Sequence, residues 1–230
     1  MKRKLKIEIG LAVLLLLIAL FGSFLAPYDP LKVNYDFSLQ PPSFLHIFGT
    51  DKLGRDVFSR ILCGAKTSFG LTFLMLFLIV FIGMIVGLMA GLSNDKVESF
   101  FNNIINGLLA FPDTIFAIAI VGIVGAGLFN TVFALALIWW TKYARLTLAL
   151  VKQEKKENYL VMAQMSGVPP LQRIIRYLLP NILSQILVTA FLDIGNMMIS
   201  LAGLSFLGLA SQPPQPEWGA MLYESKQFMQ

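Results

Sequence analysis

Four long stretches of this chain lack Asp, Glu, Lys and Arg, and nothing else in the sequence restricts its fold as much. They are Ile9–Tyr28, Thr67–Asn94, Thr114–Thr141, and Tyr177–Leu192 continuing past Asp193 into Ile194–Pro216. A helix rises about 1.5 Å per residue, so about 20 apolar residues cross the hydrocarbon of a bilayer. In lipid every backbone polar group must bond within its own segment, which selects helices for such runs. Apolar residues make up 57% of the 230 residues and charged ones 13%. A soluble domain carries about 25% charged residues. There is too little polar surface here to cover a water-soluble core of this size, and disorder, coiled coils and disulfide scaffolds are excluded.

The runs place spans at about 9–27, 67–92, 99–124, 129–151 and 180–203. The Gly-rich stretch Gly122–Asn130 breaks the third run and predicts a hairpin between two spans. Pro112 removes a backbone donor and predicts a kink in the third span. The first half of that span is amphipathic. Phe100, Ile104 and Leu108 share one face, and Asn102, Asn103 and Asn106 share another, which fits a membrane surface or a polar interior. Gly83, Gly87 and Gly91 recur every fourth position and predict a face where another helix approaches closely. The fold class is therefore an all-α polytopic membrane protein with about five transmembrane helices.

Lys2, Arg3, Lys4 and Lys6 precede the first apolar run as in a secretory signal, but no small-x-small cleavage site ends that run at Leu25-Ala26-Pro27. It reads as an uncleaved first helix with a cytoplasmic amino terminus. Lys142, Arg145, Lys152, Lys155, Lys156, Arg173 and Arg176 form a second basic cluster, whereas residues 179–230 hold only Lys226. The positive-inside rule then puts the 152–178 segment in the cytoplasm and 27–66 and the tail outside. Lys32, Lys52, Arg55, Arg60 and Lys66 in the outside segment run against this orientation. The organisation is 1–27 for the amino terminus and first helix, 28–66 for an external segment, and 67–230 for the transmembrane domain with its cytoplasmic loop at 152–180.

That loop is long for a connection between two helices. Gln153–Met165 predicts a short helix. Gly167 suits its end, and Pro169 and Pro170 the start of the next element. Leu171, Ile174, Ile175, Leu178 and Leu179 follow at helical spacing and form an apolar stripe. Pro180 leads into the last span. Two short helices at a sharp angle, presented to the cytoplasm, form a docking surface for a partner.

Here the residues resemble a family. Ala163, Gly167 and Pro180, with the ending Ile-Arg-Tyr-Leu-Leu-Pro, are similar to the coupling loop of binding-protein-dependent ABC importer permeases. Phe48–Arg60 (FGTDKLGRDVFSR), Ala202–Leu209 (AGLSFLGL) with Pro213, Pro214 and Glu217-Trp218-Gly219, Ala110-Phe111-Pro112, and Tyr143-Ala144-Arg145 resemble the dipeptide/oligopeptide/nickel group, on its second-permease side. The resemblance implies an ATPase-coupling loop carried by Ala163, Gly167, Pro169, Pro170, Ile174 and Pro180. It implies a heterodimer with a second permease, two ATP-binding subunits, an external substrate-binding protein, and a bacterial inner-membrane location. Members carry a glutamate where this chain has Val161 and an alanine where it has Met162. They follow a six-span plan, so five spans ending at Gln230 mark either a piece of such a chain or a departure from it.

Other chemistry is thin. No G-x-x-x-x-G-K-[ST] is present to cradle nucleotide phosphates, and no H-E-x-x-H or G-x-S-x-G occurs. His46 and Cys63 are the only residues of their kinds. The chain reads as a transport subunit, not an enzyme. No cofactor or nucleic acid is expected, the sequence leaves a metal site open, and lipid is the surrounding partner. Ionisable groups within spans are the default functional candidates. Asp193 lies near mid-membrane, where it faces a polar interior or pairs with a base. Asp113 serves the path or caps a helix half. Lys142 and Arg145 lie at the cytoplasmic end of the fourth span, where they snorkel to headgroups or serve the path. Asp193, Asn196, Met197 and Met198 offer oxygen and sulfur donors within two turns, either for a metal in transit or, for the methionines, as core packing. This stretch and Trp140 are also similar to nickel-type permeases, so the favoured cargo is nickel or a related metal chelate. Peptide import by the same kind of complex is the alternative. An ATP-independent secondary transporter and a non-transporting anchor are the rival classes.

Overall fold

The structure, a computed structural model, describes residues 2–211 and 214–228, so Pro213 and Gln230 lie outside the described residues. All regular elements among the described residues are helical, and one isolated bridge joins Thr50 and Asp56. Four helices are long and apolar enough to cross a membrane, and a bent pair raises the number to five.

Helix α1 (Lys2–Leu25) exposes Leu11, Leu14, Leu17, Leu20 and Phe21, as a lipid-facing helix must. Helix α2 (Val57–Leu92) begins ten residues before the charge-free run does. The Asp56 carboxylate accepts the Ser59 N–H at 2.7 Å and so caps its first turn. Arg60 and Lys66 lie within the helix and hid that start.

Helix α3 (Asp95–Leu109) is capped by the Asn94 side chain, which accepts the Val97 N–H at 3.1 Å. Helix α4 (Asp113–Val124) follows at 86°. The single kinked span expected over 99–124 is thus two helices at nearly a right angle. Pro112 has no N–H to continue the ladder, and the turn closes on Leu108 instead, through the Phe111 N–H at 3.3 Å. Helix α5 (Leu128–Glu154) leads to α6 (Asn158–Met165). Helix α7 (Pro170–Arg173) passes through a π-helical turn, Ile174–Leu178, into α8 (Leu179–Phe206).

The apolar stripe and the last span therefore form one continuous 37-residue helix, Pro170–Phe206, and not a short helix followed by a span. The physical reason is the π turn. The Leu179 N–H reaches back five residues to the Ile174 carbonyl, which widens the ladder just before Pro180, where a donor is missing. Helix α9 (Trp218–Ser225) ends the described elements, followed by a 3₁₀ turn at Lys226–Phe228.

The chain forms two compact units. One holds Met1–Phe73, Val124–Thr131 and Met198–Gln230, and the other Leu74–Ile123 and Val132–Met197. In the first unit, Glu217 is buried and caps α9, accepting the Gly219 and Ala220 N–H groups at 3.0 and 2.8 Å. Trp218 donates its indole N–H to the Ile61 carbonyl at 3.0 Å.

In the second unit, α2 presents its glycines to α5. A Cβ on Gly83 would lie 2.5 Å from the Tyr143 Cβ and 2.6 Å from the Trp140 carbonyl oxygen. One on Gly87 would lie 2.5 Å from the Thr147 Cβ, and one on Gly91 2.7 Å from a Val151 methyl. The small-residue face is a true close approach.

Candidate functional site

Three groups of residues carry the polar chemistry. The first lies in the second unit. Lys142, near the midpoint of α5, places its Nζ 2.8 Å and 2.6 Å from Asp193 Oδ1 and Oδ2. Asp193 lies near the midpoint of α8. The Tyr143 hydroxyl donates to Asp193 Oδ2 at 2.9 Å. Tyr143 is fully buried, and Gly83 is what lets α2 pack against it. Asp193 is thus paired with a base, one of the two alternatives its position allowed. Lys142 turns its ammonium to this carboxylate, with half of its side chain exposed.

The other residues of the stretch do not converge with it. Met197, one turn on, is buried. Asn196 is exposed, and Met198 is half-buried. Among the described residues no three His, Cys, Asp or Glu side chains come together. Asp113 stands at the start of α4, where its carboxylate accepts the Thr114 N–H at 2.8 Å. Its charge suits the positive end of a helix. Arg145 donates to the Asn106 side chain at 2.5 Å, so the polar face of α3 meets α5 while Phe100 and Ile104 stay exposed.

The second group is an elbow, also in the second unit. Helix α6 ends in a Schellman motif: the Val168 N–H reaches the Ala163 carbonyl, and the Gly167 N–H the Gln164 carbonyl, both at 3.1 Å. Gly167 adopts φ +76°, a left-handed conformation open to glycine at little cost. Pro170 sits in the first turn of α7, where its missing N–H costs nothing.

Ala163 is buried beneath this turn. Gly167, Pro169, Pro170 and Pro180 are exposed, and Ile174 is half-buried. Arg173 donates to Gln164 Oε1 at 2.8 Å across the elbow. Burial pushes the Tyr159 phenol above its ordinary pKa, as does its bond to Glu154, which ties α6 to the end of α5. A cleft of about 320 Å³ runs between Leu160, Val161, Pro170, Ile174 and Leu178. Met162, Met165, Leu171 and Ile175 on the same elements are exposed, Met165 with 83% of its surface.

The third group, in the first unit, accounts for the FGTDKLGRDVFSR stretch. Asp51 accepts the Leu53 and Arg55 N–H groups at 2.9 and 3.0 Å and the Arg55 Nε–H at 2.7 Å. It also bonds Arg60. Glu224 of α9 receives Arg55 Nη2 at 2.8 Å and Arg60 Nη1 at 3.0 Å. Burial raises the Asp51 pKa. The bonds from Arg55 and Leu53 outweigh it, and the carboxyl sits below its ordinary value.

Asp56 meets His46 Nδ1 at 2.9 Å, and His46 lies against the Tyr28 ring with centroids 4.9 Å apart. Beside the network is a cavity of about 510 Å³ with Leu39, Ile61, Trp218 and Leu222 among its walls. Arg55 and Arg60 stood out in the sequence as bases of the external segment, but Glu224, which pairs with both, did not. The carboxylate lies 169 positions from Arg55, and no local spacing points to it.

The family model for the binding-protein-dependent transport system inner membrane component matches residues 80–228. The model for the N-terminal transmembrane domain of oligopeptide transport permease C matches residues 9–42. Among curated proteins, the di/tripeptide transport system permease protein DppC of Pseudomonas aeruginosa is 38% identical, over 96% of this chain and 76% of that protein. The nickel transport system permease protein NikC of Escherichia coli is 34% identical, over 94% of this chain and 78% of its own length. The glutathione transport system permease protein GsiD of Shigella flexneri is 39% identical, over 94% and 72% respectively.

Proposed function

The chain belongs to the family of binding-protein-dependent transport system inner membrane components, and from that premise we propose that it lines the path of an importer driven by ATP hydrolysed on separate subunits. Its partners are a second permease subunit, two ATP-binding subunits and an external substrate-binding protein. The observation that carries this reading is the elbow. Ala163, Gly167, Pro169, Pro170, Ile174 and Pro180 build a rigid turn with an exposed apolar rim, which an ATPase covers. Val161 stands where the family has a glutamate, so docking here rests on apolar contact and not on an ion pair at that position.

The amino terminus and the elbow face the cytoplasm. The five bases in 27–66 ran against this orientation. Two of them, Arg55 and Arg60, are buried and paired with acids, so they do not act as free positive charges. This supports the orientation, with 28–66 as an external segment.

The pathway residue on α8 is Asp193; Asn196 and Met198 lie on other faces of that helix, Met197 is buried packing, and Asp113 stands at the mouth of α4. The cargo is a small solute such as a short peptide or a metal chelate. Nickel is the second reading, favoured by the likeness to the nickel permease.

The test is the complete importer in proteoliposomes, with radioactive nickel and labelled dipeptide compared. Uptake requires ATP. Gly167→Val forces a β-branched residue into a left-handed conformation and lowers uptake at least tenfold, with weaker ATPase association. Unchanged uptake removes the elbow from coupling, and uptake without ATP hydrolysis returns the chain to the secondary transporters. A cysteine at Met165 stays unlabelled by an impermeant reagent on intact cells.

A further inference from the structure

Lys142 is in an unusual position. Its helix is apolar and of spanning length, it stands near the middle of that helix, and half of its side chain is exposed. An ammonium at that depth is strongly disfavoured against hydrocarbon, so its open side faces water or protein, not lipid. Asp193 is different. Its side chain is 6% exposed and is bonded by Lys142 and by the buried Tyr143 hydroxyl. One partner is fixed on a short stem. The other rides on a long flexible stem at a surface. No other ionic partner contacts either group among the described residues.

We propose that the Lys142–Asp193 pair is the recognition element for cargo, opened by exchange. A cargo carboxylate takes the Lys142 ammonium, and a cargo ammonium takes the Asp193 carboxylate. Two ion pairs then replace one, and neither protein charge is left bare at mid-membrane. Tyr143 keeps its hydrogen bond to Asp193 while Lys142 swings away.

The cargo is therefore an amino-carboxylate solute with charges of both signs, a short peptide or a chelate built from such a ligand. A bare divalent cation is repelled by Lys142 and finds only one carboxylate. This rests on the reading that the chain lines a transport path.

The test uses the assembled importer in proteoliposomes, with Cys63→Ser and Lys142→Cys. Removing the lysine leaves Asp193 uncompensated at the site. A cationic methanethiosulfonate then labels position 142 at least tenfold faster than an anionic one, relative to their rates with a free thiol. Adding Asp193→Asn abolishes that preference. Saturating dialanine amide, whose ammonium Asp193 can still take, slows labelling of the Lys142→Cys protein severalfold, and uncharged N-acetyl-dialanine amide does not.

A thiol that reacts with neither reagent in any nucleotide state overturns the proposal, as does a preference that survives Asp193→Asn. If the single variant does not assemble, Lys142→Cys/Asp193→Asn carries no unpaired charge, and its thiol must react equally with both reagents. ATP-driven uptake of radiolabelled dialanine by the parent complex is scored separately. Failed uptake with the labelling pattern intact refutes the peptide cargo and keeps the water-facing pair. Uptake with an unreactive thiol does the reverse.

Discussion

Two clusters of charge are held within this apolar chain, and they are built from different chemistry. Asp51, Arg55, Arg60 and Glu224 join the segment before α2, and the first turn of α2, to α9. Both guanidiniums are out of water, with side chains 0% and 2% exposed. Each bonds two carboxylates at once, Arg55 through Nε and Nη2 and Arg60 through Nη1 alone. Lys142 and Asp193 also balance, but the base is a single ammonium, half-exposed, on four rotatable carbons. Arginine forks suit a clasp that stays closed. A lysine at an open surface suits a bond that is made and broken. The two differ in exposure and geometry, not in net charge, and those differences suit one to architecture and the other to the exchange proposed above.

The strongest attempt to break this contrast is Arg60→Ala. It leaves Asp51 and Glu224 short of a counter-charge in a buried site, where removing one partner costs about 3–5 kcal/mol. The expected result is a marked fall in the unfolding temperature of the purified complex, together with a low yield. A variant as stable as the parent would mean that the clasp is ornamental. The next largest effect falls on the other cluster. In Gly83→Leu the new Cβ starts 2.5 Å from the Tyr143 Cβ and 2.6 Å from a backbone carbonyl. Backbone cannot step aside as a side chain does, so α5 must move, at about 1–3 kcal/mol. Tyr143 and Lys142 ride on that helix. Transport by the assembled importer should fall more steeply than stability, and equal losses would detach the glycine face from the pathway.

Much of this architecture was legible in the sequence because it follows from local rules. Charge-free runs gave the spans, fourfold glycine spacing gave the α2–α5 contact, and Gly167 with Pro170 gave the elbow. What escaped was set by distance or by backbone detail. Lys142 read as an interfacial lysine because its partner lies 51 positions away. Asp193, Asn196, Met197 and Met198 read as one donor set because they are adjacent in the chain. Helical rotation buries Asp193 and Met197 and leaves Asn196 exposed. Pro180 read as a boundary, yet a π turn five residues wide carries the helix past it. The opposing bases at 55 and 60 read as free charges until their carboxylates were located.

Two smaller effects sharpen the contrast. Tyr143→Phe removes one hydrogen bond to Asp193 and leaves both contacts from Lys142. A hydrogen bond to a charged group contributes about 1.5–3 kcal/mol, and the remaining lysine contacts keep the loss near the low end. Tyr143 holds this bond before and after exchange, so the loss should appear as a lower unfolding temperature, with the apparent affinity for dialanine nearly unchanged. A large loss of affinity would mean that the bond is remade when cargo binds.

The smallest effect concerns the clasp and pH. Folding holds the Asp51 pKa below its ordinary 3.8. A depressed carboxyl adds stability above its unfolded pKa and loses it as pH falls through the folded value. Between pH 7 and 5 the clasp therefore stays closed, and it loosens only below about pH 4, near the ordinary aspartate range. The amides of Leu53 and Arg55 report on it directly, because both donate to Asp51 Oδ1. Their protection from hydrogen exchange, corrected for the intrinsic rate, should be flat from pH 7 to 5 and fall below that range. Asp51→Asn should remove the dependence. If protection is lost between pH 7 and 5 instead, a group other than Asp51 governs the closure of this segment.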